Sequence, residues 1–221
     1  MAVGANMEQH DQPQRKWKVA GGDESIEGEL QSFIQMVGLD RVAPDRYSFI
    51  LVLHLFGGWK SGFQGPEKII REIEALEAGV STGLKPPVQN KYPPLKGLWH
   101  KHYLQDGLPS LAMNVQLAMK KYGMPFFEQK IREAEEAGEE RYITADDIVA
   151  LANDVVHGNL ARRREDEAMT GEWLVFAKHE GRNYYLAVTT HDSSAHPQIR
   201  QQIDTICCHE FPFLTKLLAE A

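Results

Sequence analysis

The sequence predicts a mostly helical α+β fold, an N-terminal helical bundle followed by a C-terminal β-hairpin or small antiparallel sheet. Three observations carry that prediction. Apolar residues recur at helical spacing in successive segments as far as Arg164, strand-like alternation begins at Gly171, and Gly181 divides the two strand segments. With 43% hydrophobic and 25% charged residues among 221, the composition is that of an ordinary globular chain. One compact domain is expected over residues 23–221, with a helical part over 23–166 and a hairpin-helix part over 171–221, preceded by a flexible tail over 1–22.

Ile26, Leu30, Phe33, Ile34 and Val37 define the first helix, with Asp23 or Ser25 as N-cap and Gly38 as terminator. Pro44 is expected to open a second helix, apolar nearly all round and therefore buried, which ends at Gly57 and Gly58. Pro66 leads Ile69, Ile70, Ile73 and Leu76 into a third helix that Gly79 stops. Between Val80 and Gly107 lie Pro86, Pro87, Pro93 and Pro94, so most of this stretch cannot be helical. Loops of that length in compact domains are often functional.

Residues 98–103 are expected to add a strand to the hairpin, because two strands alone make a marginal sheet. Two further helices end near Gly123 and Gly138, and Thr144 with Asp147 approximates a capping box for a sixth running toward Arg164. The charged run from Arg162 to Glu167 reads as a solvated connector. In the hairpin, alternation places Trp173, Val175, Ala177, Tyr184, Leu186 and Val188 on a face that packs against helices. Leu174, Phe176, Lys178, Tyr185, Ala187, Thr189 and His191 fall on the other. Pro197 opens a further helix, and 211–218 is the last apolar segment.

The first 20 residues lack the apolar core of a secretory signal, and no apolar stretch is long enough to span a bilayer, so a cytoplasmic location and no membrane contact are expected. Cys207 and Cys208 are adjacent, which disfavours a disulfide and matches no zinc spacing; they read as small apolar residues. A net charge of -7 argues against nonspecific nucleic-acid binding by the whole surface. Yet residues 78–105 contain no acid and carry Lys85, Lys91, Lys96 and Lys101, so this segment is expected to meet an anion.

Phosphate-binding Gly-Lys-Ser/Thr loops, dinucleotide glycine fingerprints, nucleophile-elbow serines and two-histidine zincin helices are all missing from the sequence. Two polar clusters remain. In an extended segment His100 and His102 point to one face and Lys101 to the other. The second cluster is Lys178, Tyr185, Thr189 and His191, with His179 across the turn. RNA cleavage through the ribose 2′-hydroxyl needs a base, an acid and a cation, all of which these residue types supply without metal or cofactor. His100, His102, Lys178, Tyr185 and His191 are thus the candidate catalytic residues, and Lys96, Lys101 and Thr189 the candidate substrate-binding ones. A common pocket is expected to join His100, His102, Lys178 and His191.

Helices followed by strands, Lys178 and His179 at one strand end and Thr190 with His191 at the other, resemble the compact sites of small bacterial toxin-type ribonucleases of the colicin, EndoU and RelE-like group. The likeness spans at most Leu95 to Phe211 and implies metal-independent cleavage of RNA. Two other readings stay open: a noncatalytic module whose basic loop docks an acidic protein partner, and a small-molecule or metal-dependent enzyme using His100 and His102. The sequence does not give the oligomeric state.

Overall fold

Where apolar residues keep helical spacing, the chain is helical and docks that stripe. The computed structural model describes residues 24–138 and 143–221; the expected tail over 1–22 and the Asp23 cap lie outside them. Helices α1 (Glu24–Val37) and α2 (Leu39–Val42) are joined by Gly38, whose φ of 72° needs no Cβ. Helix α3 is Phe49–Lys60 and α4 is Glu67–Ala78, the latter stopped at Gly79 as predicted.

Pro44 does not open α3, because the chain first turns through a left-handed Asp45 and docks on the sheet. Ser48 caps the helix instead, its hydroxyl accepting from the Leu51 amide at 3.0 Å. Gly57 and Gly58 lie inside α3, and at Gly58 a Cβ would stand 3.3 Å from Gln64.

The proline-containing stretch supplies strands β1 (Val88–Gln89) and β2 (Trp99–Tyr103). Three helices follow, α5 (Leu108–Tyr122), α6 (Pro125–Ala137) and α7 (Ala145–Asn153), and Thr144 and Asp147 form the expected capping box. A π turn over Asp154–Gly158 continues into α8 (Asn159–Glu165). The run after Arg162 is not wholly solvated: Arg163 is buried and donates to the Ala168 carbonyl and to Asn114 Oδ1 of α5.

Strands β3 (Glu172–His179) and β4 (Arg182–Thr189) complete an antiparallel sheet in the order β1-β2-β3-β4. The hairpin turn is Glu180 and Gly181, both at positive φ, a type I′ geometry. The chain ends with α9 (His196–Gln202), a π turn, α10 (Cys208–Glu210) and α11 (Phe213–Glu220).

Helices cover both faces of this sheet. Leu174, Phe176, Tyr185 and Tyr103 pack with α1, α2, α4 and most of α3, whereas Val175, Ala177, Leu186 and Ala187 pack with α9, its following π turn and α11. A lone apolar hairpin face was expected; apolar residues at consecutive positions 174–177 require two.

Register also shifts between Val175 and Phe176, so that Leu186 is extra on β4. A bulge of one residue sends every later side chain to the opposite face. Val188 therefore joins the Leu174 side, while Thr189 stands opposite Trp173. No described helix is long and apolar enough to cross a membrane.

Candidate functional site: a histidine cluster around Trp173

The bulge divides the predicted second cluster and builds a different one. Lys178 and Tyr185 stay on the face toward α4, and His191 moves to the face of His100, His102 and Trp173. His102 Nδ1 and His191 Nε2 are 3.3 Å apart, with their rings stacked at 4.9 Å. His100 stacks on Trp173 at 3.9 Å, and His196 of α9 stacks on Trp173 at 4.9 Å. Sequence reasoning missed Trp173 and His196 as members. Alternation along β3 offered a signal only for Trp173, because His196 arrives from a helix.

Each ring is fixed by a specific partner. His100 Nδ1 meets Asn90 Oδ1 at 2.8 Å, His102 Nδ1 meets the Gly171 carbonyl at 2.8 Å, and His196 Nε2 meets the Thr190 carbonyl at 3.1 Å. A carbonyl only accepts, so His102 carries its proton on Nδ1. Thr170 Oγ1 lies 3.4 Å from His102 Nδ1 and 3.3 Å from His191 Nε2. Thr170 is itself held by the buried Asn114, which donates to its carbonyl and accepts from its amide. Glu172 accepts the His191 amide at 2.6 Å.

Burial decides the protonation of these rings. His100 and His102 are 8% and 3% exposed. Desolvation pulls both down to about 4, with the neighbouring imidazoles adding to it, so both are neutral near pH 7. His191 is exposed and only lowered, by desolvation and by the Lys85 ammonium, against the pull of Glu172. Lys85 also lowers His100 and His102, so its charge lies within electrostatic reach of this site. Its place in the acid-free segment was legible, its partnership with the histidines was not.

Other predicted site residues lie elsewhere. Lys101 is buried against Glu72, 3.5 Å away, and donates to the Lys85 carbonyl at 2.9 Å. Because β2 is covered on both sides, this ammonium is closed off from a phosphate. Lys178 sits 3.9 Å over the Trp99 ring, away from the expected common pocket. Tyr185 is fully buried and donates to Glu77 at 2.6 Å; burial and that bond raise its pKa, so it is an anchor and not a proton donor. Thr189 is buried with Oγ1 unpartnered, and Lys96 lines a separate cleft.

His54 accepts the Val188 amide on Nδ1 at 3.3 Å, and burial lowers its pKa. Among the described residues no three His, Cys, Asp or Glu side chains are grouped to hold a metal, and the His100 and His102 rings lie edge to face with Nδ1 of each engaged. Cys207 is free and buried, its thiol pushed up to about 12 by desolvation; Cys208 is free and half-buried. Comparison with family models, with curated proteins and with solved structures found no match.

Proposed function

We propose that the chain cleaves RNA by metal-independent transesterification, with His191 as the group that moves the proton. The observation that carries this reading is the 3.3 Å contact between exposed His191 and buried, neutral His102. Two imidazoles so close influence each other's protonation. They are also too close to flank one phosphate as separate acid and base, so one histidine performs both proton steps. Neutral His191 takes the 2′-hydroxyl proton as the O2′–P bond forms, then gives it to the 5′-oxygen as the P–O5′ bond breaks. The products are a cyclic phosphate and a 5′-hydroxyl. Lys85 offsets the charge on the non-bridging oxygens, in place of Lys101 and Lys178.

The test is incubation of purified protein with mixed-sequence RNA in the presence of a chelator, with analysis of the new ends. Cyclic phosphate ends are expected, and His191→Ala should lower the rate by about 10²–10⁴. Lys85→Met should reduce turnover more than binding, since the extra charge exists only in the transition state. Intact RNA after prolonged incubation with folded wild-type protein sinks the proposal.

One observation favours a second reading. The outer edge of β1 is exposed between Lys85 and Lys91, a place for an acidic protein to dock without chemistry. Salt-sensitive capture of an acidic partner by a protein that leaves RNA intact would select that reading.

A further inference from the structure

A cleft of about 710 Å³ lies between the β1–β2 loop, the tip of the hairpin and α11. Lys91, Lys96 and Lys216 line it, with Glu220 as the one acidic side chain among the described residues there. Glu220 lies 3.8 Å from Lys216, whereas neither Lys91 nor Lys96 forms an ion pair among the described residues. In a chain of net charge -7 this is a concentration of uncompensated positive charge. One wall is aromatic: His179 stacks on Phe213 with ring centres 4.0 Å apart and planes 2° from parallel.

The cleft also adjoins the histidine cluster. Asn90 lines it and bonds His100 Nδ1 at 2.8 Å, and His100 packs edge to face on His102 at 5.4 Å. Lys85 stands at the other end of the same exposed segment, six positions before Lys91, at most about 20 Å of chain. Cations therefore mark the path from His191 along the β1 edge to the cleft.

We infer that this cleft is a subsite for a nucleotide flanking the scissile bond, its phosphate held by Lys91 and Lys96 and its base laid against the His179–Phe213 wall. This rests on the ribonuclease reading for its role in turnover, but not for binding. The cleft volume falls in the usual range for small-ligand sites, and a lysine-lined groove beside an aromatic wall is the general arrangement for single-stranded nucleic acid. Stacking tolerates any base, so the subsite favours flexible single strands over a particular sequence.

The experiment is fluorescence anisotropy with a short, labelled, single-stranded 2′-deoxyoligonucleotide. It lacks the 2′-hydroxyl and so binds without being cut. Wild-type affinity is expected to fall linearly with log salt, and each of Lys91→Met and Lys96→Met to reduce that slope by about 0.7. Together the two substitutions should weaken binding on the order of tenfold at low salt. His179→Ala should cost about fivefold or more through the lost stack.

His191→Ala should keep most of the affinity. With RNA as substrate, the double lysine variant should raise KM more than it lowers kcat. Unchanged affinity and salt slope in that variant, checked for folding by circular dichroism, would overturn the subsite even if RNA is cleaved. Lysine-dependent binding by a wild-type protein that cleaves no RNA would uphold the subsite and reject the catalytic proposal.

Discussion

Lowering the pH from 6.5 through about 4 is expected to strip the fold of about 3 kcal/mol for each of His100 and His102. Both imidazoles bind protons more weakly in the folded chain than in the unfolded one. Between those two values the unfolded state therefore takes up more protons, and stability falls as pH falls. The contribution is fully present above 6.5 and gone below about 4. His54 and His191 are lowered as well and act in the same direction. Because His100 and His102 oppose each other's protonation, their effects do not add independently. Denaturant unfolding across this window, on wild type and His100→Gln/His102→Gln, isolates them from carboxylates that titrate lower. A wild-type profile parallel to that of the variant would refute the assignment.

Glu72→Ala is expected to cost about 3–5 kcal/mol, since it leaves the Lys101 ammonium buried without its counter-ion. Desolvation already pushes Glu72 up and Lys101 down, toward the neutral forms, with Thr82 donating to Glu72 at 2.7 Å as partial compensation. Replacing both partners by Glu72→Leu and Lys101→Met should recover most of the loss. Thermal unfolding of the single and double variants checks this, and a loss no larger than that of a surface substitution would show that the pair is solvated. Lys101 also donates to the carbonyls of Leu84 and Lys85, so the double variant should loosen the loop that carries the Lys85 side chain. Lys101 thus holds the backbone beside Lys85 and is itself closed off from solvent.

Local patterns were legible wherever local forces decide the outcome. Periodicity with a glycine stop located α1, α4, α5 and α6, and Thr144 with Asp147 located the start of α7. The start of α3 was not legible from Pro44, because Ser48 and Tyr185 exchange backbone bonds with neighbouring segments that no short window contains: Ser48 N donates to the Tyr185 carbonyl, and Tyr185 N to that of Arg46. The common face of His100 and His102 followed from alternation alone. Their meeting with His191 did not, since it depends on the extra Leu186 in β4, and a one-residue bulge leaves no mark in composition or period. Lys85 was visible only as charge, because its loop is placed by the buried Lys101.

The two margins of the sheet differ in what they can accept. The outer side of β4 is already bridged by Tyr47, with Arg46 and Ser48 bonded to Tyr185. The outer side of β1 is open, yet it is two residues long, preceded by Pro86 and Pro87 and followed by Lys91, Pro93 and Pro94. Prolines lack the amide that a growing ladder would require, and like charges repel an identical neighbour. Such a margin resists templated stacking of copies into fibrils, even though it is exposed. It selects for visitors that bring charge instead of a backbone ladder, which suits a polyanion better than a β-strand.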